Sequence, residues 1–213
     1  NLNCVHYIKT PNDQLPLFNG AFCTNLNQIG KYLENFKSNH KNFNIGGLSK
    51  IKYKNHFFIM DTDKPPQKKF SKSYQSGPLS FEYFLDGIKI ITNSGFGSNI
   101  SKKAEFFSRL TACQSTLNIN DTSVTNFEKN EMINNVFGNS IRNSFKSFDF
   151  YSTNENSVIG FSSSNNGYEK NFGCTHKREI YVDKENNNLK GIDHIFKAKD
   201  GYPIRYAFRF HIN

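Results

Sequence analysis

The run Thr175-His176-Lys177-Arg178-Glu179 sets an imidazole, an ammonium and a guanidinium side by side. An imidazole near neutral pH can take or give a proton. A guanidinium can grip an acidic group through two parallel hydrogen bonds, and Arg209 offers a second such group, with His211 close behind. Tyr74 and Gln75 lie in Ser73–Gly77, which could be an ordinary turn. Each candidate also has a purely structural role open to it. His176 could bond a neighbouring backbone or carboxylate, and either arginine could pair with Glu179 or Asp193 across strands. Tyr168, after Gly167, suits a packing tyrosine whose hydroxyl is bonded.

The elements that must hold these residues are mostly strands. From about residue 50 the apolar period becomes two, with Ile51, Tyr53, Phe57 and Ile59 on one face and Lys50, Lys52, Lys54 and His56 opposite. Leu79–Leu85, Asp86-Gly87 and Ile88–Thr92 spell a hairpin closed by a type I′ turn. Ser101 can cap a short helix over 102–109, which leads into a strand at 116–120. Residues 122–144 show no period and read as loop. Strands are expected over 145–152, 158–163, 176–183 and 189–196. The last, 204–212, alternates most cleanly, with Ile204, Tyr206, Phe208, Phe210 and Ile212 on one face. Thr24 or Asn25 could cap a helix carrying Leu26, Ile29, Tyr32, Leu33 and Phe36, followed by a loop at 37–50. The expected fold is mainly β: an antiparallel β-sandwich preceded by a short helical segment.

The composition bounds the chemistry. The chain has 213 residues, 22 Phe, no Trp and a formal net charge of +9, so anionic partners are favoured over cationic ones. Polysaccharide, nucleic acid and anionic lipid all qualify. No helix-turn-helix, zinc finger or aromatic RNA-binding word is present, so nucleic acid ranks last. Cysteines at 4, 23, 113 and 174 form no Cys-x-x-Cys pair and are expected to be free thiols. No apolar run approaches the ~20 residues of a transmembrane helix. The sequence begins without methionine and ends within a strand-like run, which gives the expectation of a fragment cut at both ends.

Several separated words, taken in order, resemble the heparinase II/III-like polysaccharide lyase family. They are Leu15-Pro16-Leu17-Phe18-Asn19-Gly20, Leu79-Ser80-Phe81-Glu82, Thr92-Asn93-Ser94-Gly95, Ala112-Cys113-Gln114-Ser115-Thr116-Leu117, Asn166-Gly167-Tyr168, Phe172–Tyr181, Leu189-Lys190-Gly191-Ile192-Asp193 and Ala207–Ile212. The resemblance implies a tail of a helical toroid over 1–40 and a β-sandwich over 50–213. It implies cleavage of an acidic, uronate-containing polysaccharide by β-elimination, with catalytic residues largely outside this chain, and a place in the cell envelope or periplasm. Substrate contacts would fall to Tyr74, Gln75, Gln114, His176 and Arg178. Members carry a structural zinc, whose ligand slots hold Gln75, Asn93 and Gln114 here, with Ser73 in a further histidine slot. Carboxamides are poor zinc ligands, so no metal and no cofactor is expected, and the amides could instead bond one another. An alternative is a non-catalytic, basic sandwich that binds anionic glycan.

Overall fold

The computed structural model describes residues 2–24, 26, 30, 44–130, 132–134, 138–197 and 205–213. Alternating apolar and polar positions build two antiparallel sheets. One has six strands in the order β1-β2-β3-β4-β5-β12: β1 Asn44–Ile45, β2 Leu48–Tyr53, β3 His56–Asp61, β4 Phe81–Leu85, β5 Ile88–Thr92 and β12 His211–Ile212. The other has four in the order β10-β9-β8-β7: β7 Ser147–Asn154, β8 Val158–Asn165, β9 Cys174–Asp183 and β10 Asn188–Lys197. A small pair joins β6, Leu117–Ile119, to β11, Tyr206–Phe208. Helices are short: α1 Leu2–Ile8, α2 Lys102–Ser108 and α3 Glu169–Phe172.

The two sheets face each other over Ile51, Phe58, Met60, Leu79 and Phe81 on one side and Phe161, Ile180 and Val182 on the other. Phe58 is at its centre, fully buried, 4.8 Å from the Phe81 ring and 6.0 Å from that of Phe161. Offset aromatic pairs of this kind add to the burial of their area. The other face of the six-stranded sheet is covered too. Phe57, Ile59 and Phe84 pack there against Phe18, with Ile8 beside them, so the N-terminal segment forms a third layer. This is why every residue of β3 is buried. A third cluster, around Leu117, Val124, Phe127, Ile141, Phe145 and Tyr168, closes one end.

Two turns decide the sheet's register. Asp86 and Gly87 both have positive φ, 52° and 79°, as a type I′ hairpin requires. The expected single face over 51–59 is corrected, because Lys54, at φ 47°, and Asn55 form a tight turn between two strands. Ile51 therefore pairs with Phe58, and Lys50 and Lys52 pair with Ile59 and Phe57. Ser101 caps α2 as expected, accepting from the Ala104 N–H at 3.0 Å. The expected strand over 204–212 is split: Tyr206–Phe208 pair with β6 and His211–Ile212 with β5. Its aromatic face is also largely exposed, with Phe210 at 50 %. The helix expected over 24–36 lies mostly outside the described residues.

Phe58→Ala should remove about 3–5 kcal/mol of stability, because the void sits between two sheets that cannot both close on it. Denaturant midpoints at unchanged slope would verify this; a loss below about 1 kcal/mol would place Phe58 outside the inter-sheet core.

Candidate functional site

Strand alternation brings the imidazole and guanidinium inward together. Along β9, His176 and Arg178 face the interior while Lys177 and Glu179 face out. Both inward side chains meet Asp193, which pairs with Arg178 from β10. His176 Nε2 lies 2.7 Å from Asp193 Oδ1, and Arg178 donates through Nε at 2.7 Å and Nη2 at 3.0 Å to the two carboxylate oxygens. Arg178 Nη1 donates to the carbonyls of Leu79, at 2.7 Å, and Ser115, at 3.2 Å. Burial alone would raise the Asp193 pKa. The His176 hydrogen bond and the charge and hydrogen bonds of Arg178 outweigh it and hold the carboxyl at about 2. Burial lowers the pKa of His176, against the pull of Asp193. A carboxylate only accepts, so the neutral imidazole carries its proton on Nε2.

The carboxamides form a second buried centre. Gln75 Oε1 accepts from the Gly20 N–H at 3.1 Å, and its Nε2 donates to the carbonyls of Gly95, at 2.9 Å, and Ser108, at 3.1 Å. Gln114 Nε2 donates to the same Ser108 carbonyl at 2.7 Å. Asn93 Oδ1 accepts from the Ser115 N–H at 2.9 Å. Gln75 and Gln114 share the Ser108 carbonyl, while Asn93 reaches only the Ser115 backbone and its Nδ2 is buried without a partner, so the expectation that the three bond one another is corrected: each carboxamide bonds backbone. They thereby tie the Gly20 segment, the turn at Gly95, the end of α2 and the approach to β6 into one junction.

Tyr74 lies in the end cluster with Leu117 and Val124. Burial, with Asp61 and Asp63 nearby, pushes its phenol well above the ordinary value. All five side chains expected to touch substrate are buried: Tyr74 and His176 are 3 % exposed, Gln75 2 %, Gln114 and Arg178 1 %. Here they hold the protein to itself. Arg209 instead pairs with Asp121 at the surface, 2.9 Å away, and the Tyr168 hydroxyl donates to the Thr122 carbonyl at 2.9 Å.

The accessible chemistry lies elsewhere, in a cleft of about 930 Å³ between the N-terminal segment and the β2–β3 hairpin. His6, Lys9 and Asp13 line one wall, with Lys9 paired to Asp13 at 2.6 Å. Lys50, Lys52 and Lys54 line the other, Asp86 lies at its edge, and the His56 imidazole turns away to Tyr83 and the Asn187 carbonyl. The hairpin register explains the second wall, since Lys50 and Lys52 fall on the sheet face that α1 covers. Lys50 donates to the Tyr7 carbonyl, and its ammonium lies 4.0 Å from the centre of the Tyr7 ring. Burial, with help from the Lys52 charge, lowers the Lys50 pKa to about 8. The lysine alternation was visible in the sequence; the packing of α1 over it was not.

The sequence profile described as Heparinase II/III-like, C-terminal, matches residues 37–213. The chain belongs to this family. Among solved structures, a heparinase III matches over 100 % of this chain and 35 % of its own, with a TM-score of 0.68 and 15 % identity. A heparan sulfate lyase from Pedobacter heparinus matches over 84 % of this chain and 29 % of its own, with a TM-score of 0.58 and 18 % identity. The chain thus spans about a third of these structures' length. No curated protein matches it significantly by sequence.

The zinc implied by the family resemblance does not fit the residues present. Gln75 has its oxygen and its amide nitrogen committed to three backbone groups. Neutral carboxamides offer neither thiolate, imidazole nor carboxylate. Among the described residues, no group of three or more His, Cys, Asp or Glu could hold a metal ion. Elemental analysis should find no stoichiometric zinc, and a chelator should leave the melting temperature unchanged; bound zinc whose removal lowers it would contradict this assignment.

Asp193→Asn should cost about 3–5 kcal/mol, because it strands the buried Arg178 charge. The depressed Asp193 pKa contributes stability that is complete above its unfolded value of about 4 and is lost as pH falls toward 2. The variant should therefore show a shallower acid limb in denaturation midpoints between those pH values; an unchanged limb would show that Asp193 is not held by this pair.

Proposed function

We propose that this chain is the β-sandwich part of a polysaccharide lyase that acts on an acidic, uronate-containing polysaccharide by β-elimination. The basic cleft is the observation that carries the reading. β-Elimination requires that the uronate carboxylate be neutralised, that a base remove the adjacent carbon-bound proton, and that an acid protonate the departing oxygen. Lys50, Lys52 and Lys54 meet the first requirement, since a concave wall of cations concentrates a polyanion. The base and acid belong, in this reading, to the part of the relatives' length that this chain does not span. The same reading assigns the protein to the cell envelope or periplasm, where such polysaccharides are met. A second reading, a non-catalytic binder of anionic glycan, is favoured by the burial of His176 and the carboxamides that fill the family's ligand slots.

Incubation of the longer protein that, in this reading, also carries the base and acid with heparan sulfate, alginate and chondroitin, with ultraviolet absorbance followed, separates the two. An unsaturated uronate product supports the lyase; binding without product supports the second reading. Both require the cleft. Lys50→Ala with Lys52→Ala should weaken polysaccharide binding at least about tenfold at low salt, a loss that added salt erases. Lys50 is charged below about pH 8 and neutral above it, and it shares the cleft with Tyr7, Phe57, His6, Lys9, Lys52 and Lys54 and with the carboxylates of Asp13 and Asp86. Wild-type affinity should therefore fall between pH 7 and pH 9, and Lys50→Met should remove that step. Binding that is unaffected by the double substitution would sink the cleft assignment.

A further inference from the structure

The outward face of the four-stranded sheet carries a groove of about 540 Å³ that neither the buried centres nor the basic cleft uses. Its floor is β8, where Ser162 and Ser164 are small enough to be overtopped by their neighbours and are only 3 % and 4 % exposed. One wall is β7, where Tyr151 pairs with Ser162 and Phe148 with Ser164. A register shift between those two, with Asp149 at φ 52°, bulges this edge. The other wall is β9, where Lys177 lies opposite Ser164, and beyond it Phe196 of β10 lies opposite Thr175. Strands sit about 4.8 Å apart, so the walls on β7 and β9 are roughly 10 Å apart.

Three rings stand in water here: Tyr151 is 58 % exposed, Phe196 55 % and Phe148 39 %. The orientation of Phe196 is not left to solvent, since its ring stacks on His194 at 6.0 Å and 12°. The groove is not purely apolar, since Ser162, Ser164, Thr175 and Lys177 line it beside the rings. A pyranose ring offers both matching surfaces: C–H faces for the rings and hydroxyls for the floor. Lys177, held 2.6 Å from Glu179, adds a cation to the lining, and Asp149 on the β7 side adds an acceptor.

We propose that this groove is a second glycan subsite, in which a pyranose unit of the acidic polysaccharide stacks on Tyr151, Phe148 and Phe196 over the serine floor. It rests on the reading that the protein holds such a polysaccharide. It differs from the cleft in what holds the ligand, so salt separates the two: charge attraction in the cleft is screened at about 0.5 M salt, and stacking is not. The test is titration of the full chain with a heparan sulfate hexasaccharide at low and high salt, with tyrosine fluorescence as readout, since the chain has no Trp. Tyr151→Ala with Phe196→Ala should weaken high-salt affinity about tenfold, as two lost ring contacts imply. Ser162→Phe, which fills the floor and removes no ring, should do the same. High-salt affinity unchanged in both variants, with low-salt binding retained, overturns the groove and leaves the cleft standing. A wild-type dimer in sedimentation that Tyr151→Ala dissociates also overturns it, because a second copy would then occupy the face. Absence of binding at any salt overturns the groove together with the cleft.

Discussion

The Arg178 guanidinium is the constraint on which the rest depends. It is 1 % exposed and makes hydrogen bonds to a carboxylate on its own sheet and to two carbonyls, of Leu79 and Ser115, outside that sheet. Leu79 leads into β4 of the six-stranded sheet, and Ser115 leads into β6. One side chain thus locks the two layers in lateral register where hydrophobic packing, which has no direction, would let them slide. The arrangement is costly to break at any single point, since removing Asp193 leaves a buried cation and removing Arg178 leaves a buried anion. The neutral His176 completes the carboxylate's partners without adding a second buried charge.

A division of labour follows from that clamp. The residue types most suggestive of proton transfer and anion binding sit on the inner face of β9, buried and bonded to Asp193. The carboxamides at 75, 93 and 114 act likewise, as directional cross-links among loops that have no ladder to fix them. Hydrogen bonds to backbone need no metal and no deprotonation to hold this junction. The surfaces left open to a ligand are a wall of lysines under α1 and a ring-walled trough on the opposite side of the molecule's layered core. Lys50 belongs to both worlds, because the contact with Tyr7 that shapes the cleft also partly dehydrates the ammonium and lowers its pKa to about 8.

Local signals with a stereochemical cause were legible from sequence. Asp86-Gly87 marks a hairpin because positive φ at both positions suits that pair, and Ser101 marks a helix start because its hydroxyl meets an otherwise unpaired N–H. Lys54-Asn55 turns as tightly without glycine, so the turn was hidden inside what read as one long strand. The face of Tyr206, Phe208 and Phe210 looked like core because alternation reports two distinct faces, not which one is buried. Burial depends on the neighbouring layer, and pattern alone does not supply it. The same gap explains the site: His176 and Arg178 were open either to reactive roles or to a carboxylate such as Asp193 across strands, and the pairing of β9 with β10 is what brings Asp193 to both.

Amide hydrogen exchange of the full chain, with and without heparan sulfate, tests the central claim most directly, since it reports where along the backbone the ligand acts. Protection is expected over residues 6–13 and 50–57, with segments 73–76 and 111–116 unchanged. Protection confined to those last two segments would mean that the ligand enters the carboxamide junction, and would contradict the account.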